Sequence, residues 1–209
     1  MDAVTSRNVI FYSLLQEIHA SGIEISVTVT ANASAVRDWL TAALYSSRYY
    51  VHLKRLVVGL SVHWTLSGAN LNTPAHTLQL LIGRRILIFQ LAHATTVPNK
   101  LRTFLLNPSH TFVGLSNFWD PQKLLCSRHR LRVARAPVDL VLYVNTLLRG
   151  RLPKEIVIER CLGFQVERRF EVAESDWRNE NLSDDQIVFA TVRALCAFLI
   201  GLRYRAWEI

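Results

Sequence analysis

Residues 57–64 read VVGLSVHW, an apolar run carrying Ser61 and His63 two positions apart. In a strand, side chains at i and i+2 point to the same face of the sheet. The run is therefore expected to be a buried central strand, spanning about 56–64, that turns a hydroxyl and an imidazole to one side. An apolar strand with two polar groups on one face usually does so at a site, and the rest of the chain reads as what stands around it.

Upstream, 9–15 and 24–30 are strand-like, divided by Ser21 and Gly22; ISVTVT alternates β-branched and small polar residues, as a half-buried strand does. Asn32 or Ser34 then caps a helix to about 46, with Val36, Trp39, Leu40 and Ala43 on one face. Residues 67–74 hold the turn formers of a loop. Downstream, 77–82 and 85–91 form a hairpin about Gly83 and Arg84. Pro98 opens a short helix that Asn107 and Pro108 end, and 111–115 is a further strand. Asp120 as N-cap with Pro121 after it starts a helix to about 130. Helices at 140–148 and 154–161 follow, separated by Gly150 and Pro153. Ser183 with Gln186 is a capping box for a last helix reaching about 204. Strands crowd the first half and helices the second. That order predicts an α/β fold, a mixed sheet covered by helices, as a single domain over 1–209.

Half of the 209 residues are apolar and 19% are charged, which excludes a disordered chain. The mean hydropathy of +0.18 and five Trp point to apolar surface buried between subunits. Cys126, Cys161 and Cys196 lie far apart with no CxxC pair, a pattern of reduced thiols in cytoplasm or nucleus and of no zinc site. Residues 1–8 carry an acid and no apolar core follows a basic start, so no signal peptide is expected. The run 187–202 is apolar, but it is shorter than the roughly 20 residues of a span and contains Arg193; a buried helix, and no membrane, is expected. A net charge of +8 and pI near 9.9 favour an anionic partner, nucleic acid first.

Four stretches, in order, resemble the DEDD-type 3′–5′ exonucleases. VVGLSVHW resembles their first motif, apolar-Gly-apolar-Asp-apolar-Glu-Trp. Leu78 and Gln79 followed by GRRILIFQL resemble the next strand pair. FVGLSNFWDPQKLL (112–125) resembles the second motif, and LSDDQIVFATVRA (182–194) the third. The third motif is of the Tyr-containing (DEDDy) flavour of RNase D and the Werner-syndrome-type exonucleases. Small single-domain plant members, such as the RISC-interacting clearing exoribonuclease, are the most similar in length and in the NLSDDQ wording. The match spans about 24–204. It implies an RNase H-like (DnaQ-type) fold with a five-stranded mixed sheet flanked by helices. It also implies ancestral action on single-stranded RNA or DNA, and assembly as a homo-oligomeric ring, hexamers included, or with an active homologue.

In such enzymes four carboxylates hold two divalent metals and a Tyr orients the attacking water. Here the matching positions are Ser61, His63, Arg193 and, for the Tyr, Phe189; only the second-motif acid survives, as Asp120. Hard cations need oxygen ligands. Ser61 is neutral, His63 suits Mg²⁺ poorly, Phe189 has no hydroxyl, and Arg193 is a permanent cation. The substitutions contribute +4 of the net +8: one unit each from Ser61 and His63, two from Arg193. The expectation is a pseudo-exonuclease with no cofactor, Mg²⁺ or Mn²⁺ entering only if activity remains. Arg193 is expected to pair with Asp120 in the vacated metal site.

Ser61, His63 and Asp120 also invite comparison with a hydrolytic triad, but nothing resembles a nucleophile elbow or oxyanion hole. Two ligands, His63 and Asp120, leave a Zn²⁺ or Mn²⁺ shell incomplete. Arg128, His129, Arg130, Arg132 and Arg135 crowd one helix end and the loop beyond, where they serve solubility and helix-dipole compensation or contact phosphate. Arg84 with Arg85, and Arg168 with Arg169, are equally open. Trp64, Trp119 and Trp177 sit beside the motifs; core packing accounts for them, and Trp119 can also stack a base. Arg193, Arg128, Arg130 and Trp119 are the candidate nucleic-acid contacts.

Overall fold

The computed structural model describes residues 5–7, 24–65 and 73–209. The strand expected at 9–15 and most of the 67–74 loop lie outside the described residues. Among the described residues seven strands form one mixed sheet in the order β1-β2-β5-β4-β3-β6-β7. They are β1 (Thr5–Arg7), β2 (Ser26–Thr30), β3 (Leu56–His63), β4 (Thr77–Ile82), β5 (Arg85–Phe89), β6 (His110–Gly114) and β7 (Val138–Asp139). The inner five, β2 to β6, are the strands expected from alternation and turn signals. The outer two are three and two residues long, too short to leave a periodic signal. β3 runs antiparallel to β4 and parallel to β6, and every one of its eight residues is buried.

The helices are α1 (Ala33–Ser46), α2 (Arg48–His52), α3 (Asn99–Leu105), α4 (Asp120–Cys126), α5 (Leu140–Leu147), α6 (Lys154–Leu162), α7 (Phe170–Ala173) and α8 (Asp184–Arg203). Alternation along β3 sorts its side chains between two cores. Val58, Leu60 and Val62 pack with Val36 and Leu40 of α1 and Leu101 and Phe104 of α3. Val57, on the other face, joins Ala197 and Ile200 of α8. Burying each such side chain contributes roughly 1.5–3 kcal/mol.

Helix α8 positions the site, and its start is written locally: the Ser183 side chain accepts from the Gln186 amide while the Gln186 side chain accepts from the Ser183 amide. The helix is long and apolar enough to cross a membrane by length and composition, yet Ile187, Ala190, Ala194, Leu195 and Ile200 are buried against the sheet. It crosses β3 at Gly59, where a Cβ would stand 2.4 Å from the Ala194 carbonyl oxygen. Only glycine permits that approach. The next i+2 positions on this face are Ser61 and His63, so the same contact that seats α8 sets both beneath it.

Two expectations about α4 need correction. The helix ends at Cys126, not near 130, because Ser127 turns to extended backbone. Asp120 is not the N-cap; Trp119 holds that position and Asp120 is the first helical residue. The Asp120 side chain turns inward instead of capping.

Candidate functional site

Ser61 and His63 lie opposite Gln79 and Thr77 in the β3–β4 ladder, so four polar side chains share one face of two adjacent strands. Ser61 Oγ donates to Gln79 Oε1 at 3.1 Å, and His63 Nδ1 donates to the same oxygen at 3.0 Å. Gln79 Nε2 in turn donates to Thr77 Oγ1 at 2.7 Å. With the proton on Nδ1, Nε2 of His63 is left as an acceptor, and it is buried without a partner. Burial, and then the Arg193 charge, hold the His63 pKa well below its ordinary value, against a smaller opposing pull from the Gln79 bond; the Lys154 charge adds a last, minor lowering. The imidazole is neutral.

Gln79 was not singled out from the sequence as a site residue, although the signal was there. Thr77 and Gln79 alternate with Leu78 and Leu80 in an otherwise apolar strand, mirroring Ser61 and His63.

Two aromatic rings close the site. Trp177 stacks on His63 at 4.0 Å between centroids and 15° between planes, and Phe189 of α8 lies 5.5 Å away. Trp177 is fully buried, which settles its role as packing. The segment that carries it is pinned through Thr65, whose Oγ1 accepts from the Trp177 amide and donates to Asp176 Oδ1. Hydrogen bonds from Arg178 hold Asp176 well below the usual carboxylate range. Gln186 Nε2 adds a bond to the Asp176 carbonyl. As a result Ser61 is 1% exposed and His63 4%.

Asp120 is also 1% exposed, and neither of its carboxyl oxygens has a hydrogen-bond partner. Burial lifts its pKa from 3.8 to about 7; the nearby Arg193 charge and the Val62 amide, which stops short of hydrogen-bonding geometry, pull it back only in part. The expected Arg193–Asp120 pair does not form. Arg193 Nη2 donates instead to the Leu115 carbonyl at 3.0 Å, with Ser116 O at 3.5 Å. Those carbonyls end β6, where the chain turns at Ser116 with φ of 51° and offers oxygens that no strand takes up. Nη2 of Arg193 is thus engaged by backbone while its buried Nε is left without a partner, and the raised pKa of Asp120 weakens the attraction a fully ionised carboxylate would exert.

A second cation stands close by. Lys154, the first residue of α6, has its pKa lowered by burial and then by Arg193. Both line a cavity of about 70 Å³ beside Phe189, far below the roughly 300 Å³ of a small-ligand pocket. At its rim Arg168 pairs with Glu155 at 2.9 Å and Arg169 with Asp185 at 2.7 Å, so these two arginines are engaged within the protein.

The donor set does not fit a pair of divalent cations. One carboxyl whose pKa is raised to about 7, one hydroxyl and one imidazole nitrogen stand near the Arg193 and Lys154 side chains, and among the described residues no three His, Cys, Asp or Glu gather at one point. A hydrolytic triad is excluded by the bonding: the Ser61 hydroxyl serves Gln79, not His63, and Asp120 bonds neither.

Outside this closed interior, Trp119 is 59% exposed and meets the exposed Phe118 edge-on at 5.0 Å. Arg128 and Arg130 are exposed in the loop after α4. His129 between them is held by the Ala94 carbonyl at 3.0 Å. Of the four candidate nucleic-acid contacts, three are accessible; the fourth, Arg193, is tied to β6.

No protein-family model matches the chain. Over 187 residues it is 24% identical to an Acanthamoeba polyphaga mimivirus protein that carries the name of a 3′–5′ exonuclease. The alignment covers 84% of this chain but 45% of that relative, so the chain spans less than half of its length. Among solved structures, the EXO domain of Aedes aegypti Nibbler superposes with a TM-score of 0.66 at 12% identity, over 87% of this chain and 88% of that one. Escherichia coli RNase D, described as an exoribonuclease involved in structured RNA processing, superposes with a TM-score of 0.59 at 15% identity, over 75% of this chain and 40% of its own. At these identities the superpositions establish the fold.

Proposed function

Given that the chain is related to the DEDDy-type 3′–5′ exonucleases and has their RNase H-like fold, we propose that it is a catalytically silent member that binds single-stranded nucleic acid without cutting it. The observation that carries this reading is the closed, cation-flanked site. The positions matching the first two metal ligands, and the surviving acid, are buried; Trp177 and Phe189 pack on His63, and Arg193 and Lys154 stand alongside. A scissile phosphate would have to displace a stacked Trp–His pair to reach a hydroxyl, an imidazole and a single carboxyl, a donor set ill-suited to a pair of divalent cations. Binding then falls to the outer surface, where Trp119 offers a ring face to a base and Arg128 and Arg130 offer charge to phosphates.

The test is an assay on 3′-labelled single-stranded RNA and DNA with Mg²⁺ or Mn²⁺. The natural protein is expected to leave both intact while binding them in a salt-dependent way. The control carries Ser61→Asp, His63→Glu, Phe189→Tyr and Arg193→Asp together. Metal-dependent shortening by the natural protein would overturn the reading.

A second reading, assembly with itself or with an active homologue, has one observation in its favour. Leu142, Leu147 and Leu148, at and just beyond α5, are 67%, 54% and 48% exposed. Size-exclusion with light scattering decides it: a single-chain mass at micromolar concentration, unchanged by an active homologue, excludes both forms.

A further inference from the structure

At the end of the sheet opposite Ser61, five residues back along β3 and so about 17 Å away at roughly 3.3 Å per residue, lies a recess of about 260 Å³. It opens between α2, the β4–β5 turn and the last turns of α8. Leu56, Phe198 and Leu199 form its apolar floor, and Tyr50, Arg55 and Arg84 stand at its edge. None of its lining residues carries a carboxylate; the acid nearest in sequence is the exposed Glu24, beside the lining Ile25. Arg55 and Arg84 are exposed and enter no ion pair with a described residue. Between Asp38 and Asp120 the sequence contains no acid at all, but it contains seven Lys and Arg, of which Arg48, Lys54, Arg55, Arg84 and Arg85 fall on α2, the loop after it and the hairpin turn.

The aromatic content of this surface is as uneven as its charge. Tyr45, Tyr49 and Tyr50 are 69%, 67% and 54% exposed within six residues of chain. Tyr49 and Tyr50 meet edge-on at 5.6 Å, and the Arg48 guanidinium lies over the Tyr45 ring at 4.8 Å. Exposed ring faces interleaved with exposed cations are the composition of a stacking platform for single strands.

We propose that this recess is a second single-stranded nucleic-acid subsite, in which one base stacks on Tyr50 over the apolar floor and Arg55 and Arg84 hold the flanking phosphates. It shares its ligand class with the proposed function but none of its residues, and it does not depend on the fate of the catalytic positions. A run of Asp and Glu would satisfy the arginines equally, but it carries no flat ring to stack on Tyr50 or cover the apolar floor of the recess.

The experiment measures binding of a labelled 20-nucleotide single strand by anisotropy across a salt series. It compares the natural protein, Tyr50→Ala, the pair Arg55→Ala with Arg84→Ala, and the outer-surface variant Trp119→Ala with Arg128→Ala and Arg130→Ala. All of these side chains are exposed, and thermal melts confirm that each variant is folded. Tyr50→Ala is expected to weaken binding about tenfold, and the arginine pair to lower the slope of log affinity against log salt by about 1.4, at roughly 0.7 per single-strand phosphate contact. Ultraviolet crosslinking is expected to place adducts on the peptide carrying Tyr49 and Tyr50. Natural-level binding by both recess variants overturns the subsite, whatever the outer-surface variant does. Normal binding by the outer-surface variant, with loss in the recess variants, upholds the subsite and removes the surface assigned under the proposed function. Binding of a polyglutamate peptide in preference to the oligonucleotide overturns the inference in favour of a protein partner.

Discussion

At Asp120 a carboxyl group is enclosed with neither oxygen bonded, and the gap between an ordinary value of 3.8 and about 7 corresponds to on the order of 4 kcal/mol. Below pH 3.8 both folded and unfolded chains hold the proton and nothing is lost. As pH rises through that window the unfolded chain releases its proton first, so stability falls until about pH 7 and is level above it. Asp120→Asn removes the ionisation, and is expected to raise stability at pH 8 by up to about 4 kcal/mol while changing little at pH 3. Chemical denaturation at the two values measures this; equal stability of variant and natural protein at pH 8 would mean the carboxyl is solvated. His63 acts in the opposite sense. Its pKa is depressed, so its burial costs stability only as pH falls below 6.5, and the Asn variant should unmask that acid-side loss. Ser61, His63, Asp120 and Phe189 were legible as candidate positions because the motif resemblance marks them. Their bonding was not, since Gln79 and Trp177 reach His63 from 16 and 114 residues along the chain.

Helix α8 depends on one backbone approach and one cap. Gly59→Ala would drive a methyl into the Ala194 carbonyl, and because backbone cannot swing aside the cost is expected to be about 3 kcal/mol, the upper end for overpacking. The near-ultraviolet signal of the Trp177–His63 stack should weaken in the same variant, because α8 and the sheet close that stack together. Ser183→Ala is expected to cost about 1 kcal/mol and leave the stack in place. Urea titrations separate the two; a Gly59→Ala protein as stable as the natural one would mean that α8 sits farther from β3. The β4–β5 hairpin and the capping box were readable because each rests on residues a few positions apart. The early end of α4 was not: basic residues continue to 130, but Leu131 returns its amide to the Leu124 carbonyl and pulls the chain out of the helix.

Over the whole molecule, the apolar excess that pointed to subunit contacts is taken up in good part by α8 and β3, which bury their faces within one chain. The positive charge is not neutralised in the same way. Binding of single-stranded RNA by the natural protein is therefore expected to weaken steeply with salt, and a salt-independent isotherm would mean that the basic surface serves another purpose. Periodicity and turn chemistry in the sequence determined the five inner strands, the main helices, and the shared face of Ser61 and His63. These are local properties, set by side-chain direction two to four residues apart. Tertiary structure alone decided that Arg193 takes the free carbonyls at the end of β6 instead of Asp120, that Trp177 seals His63, and that Arg55, Arg84 and Tyr50 surround one recess. Each of those outcomes depends on where distant segments return and which polar groups they leave unsatisfied, and no local pattern carries that information.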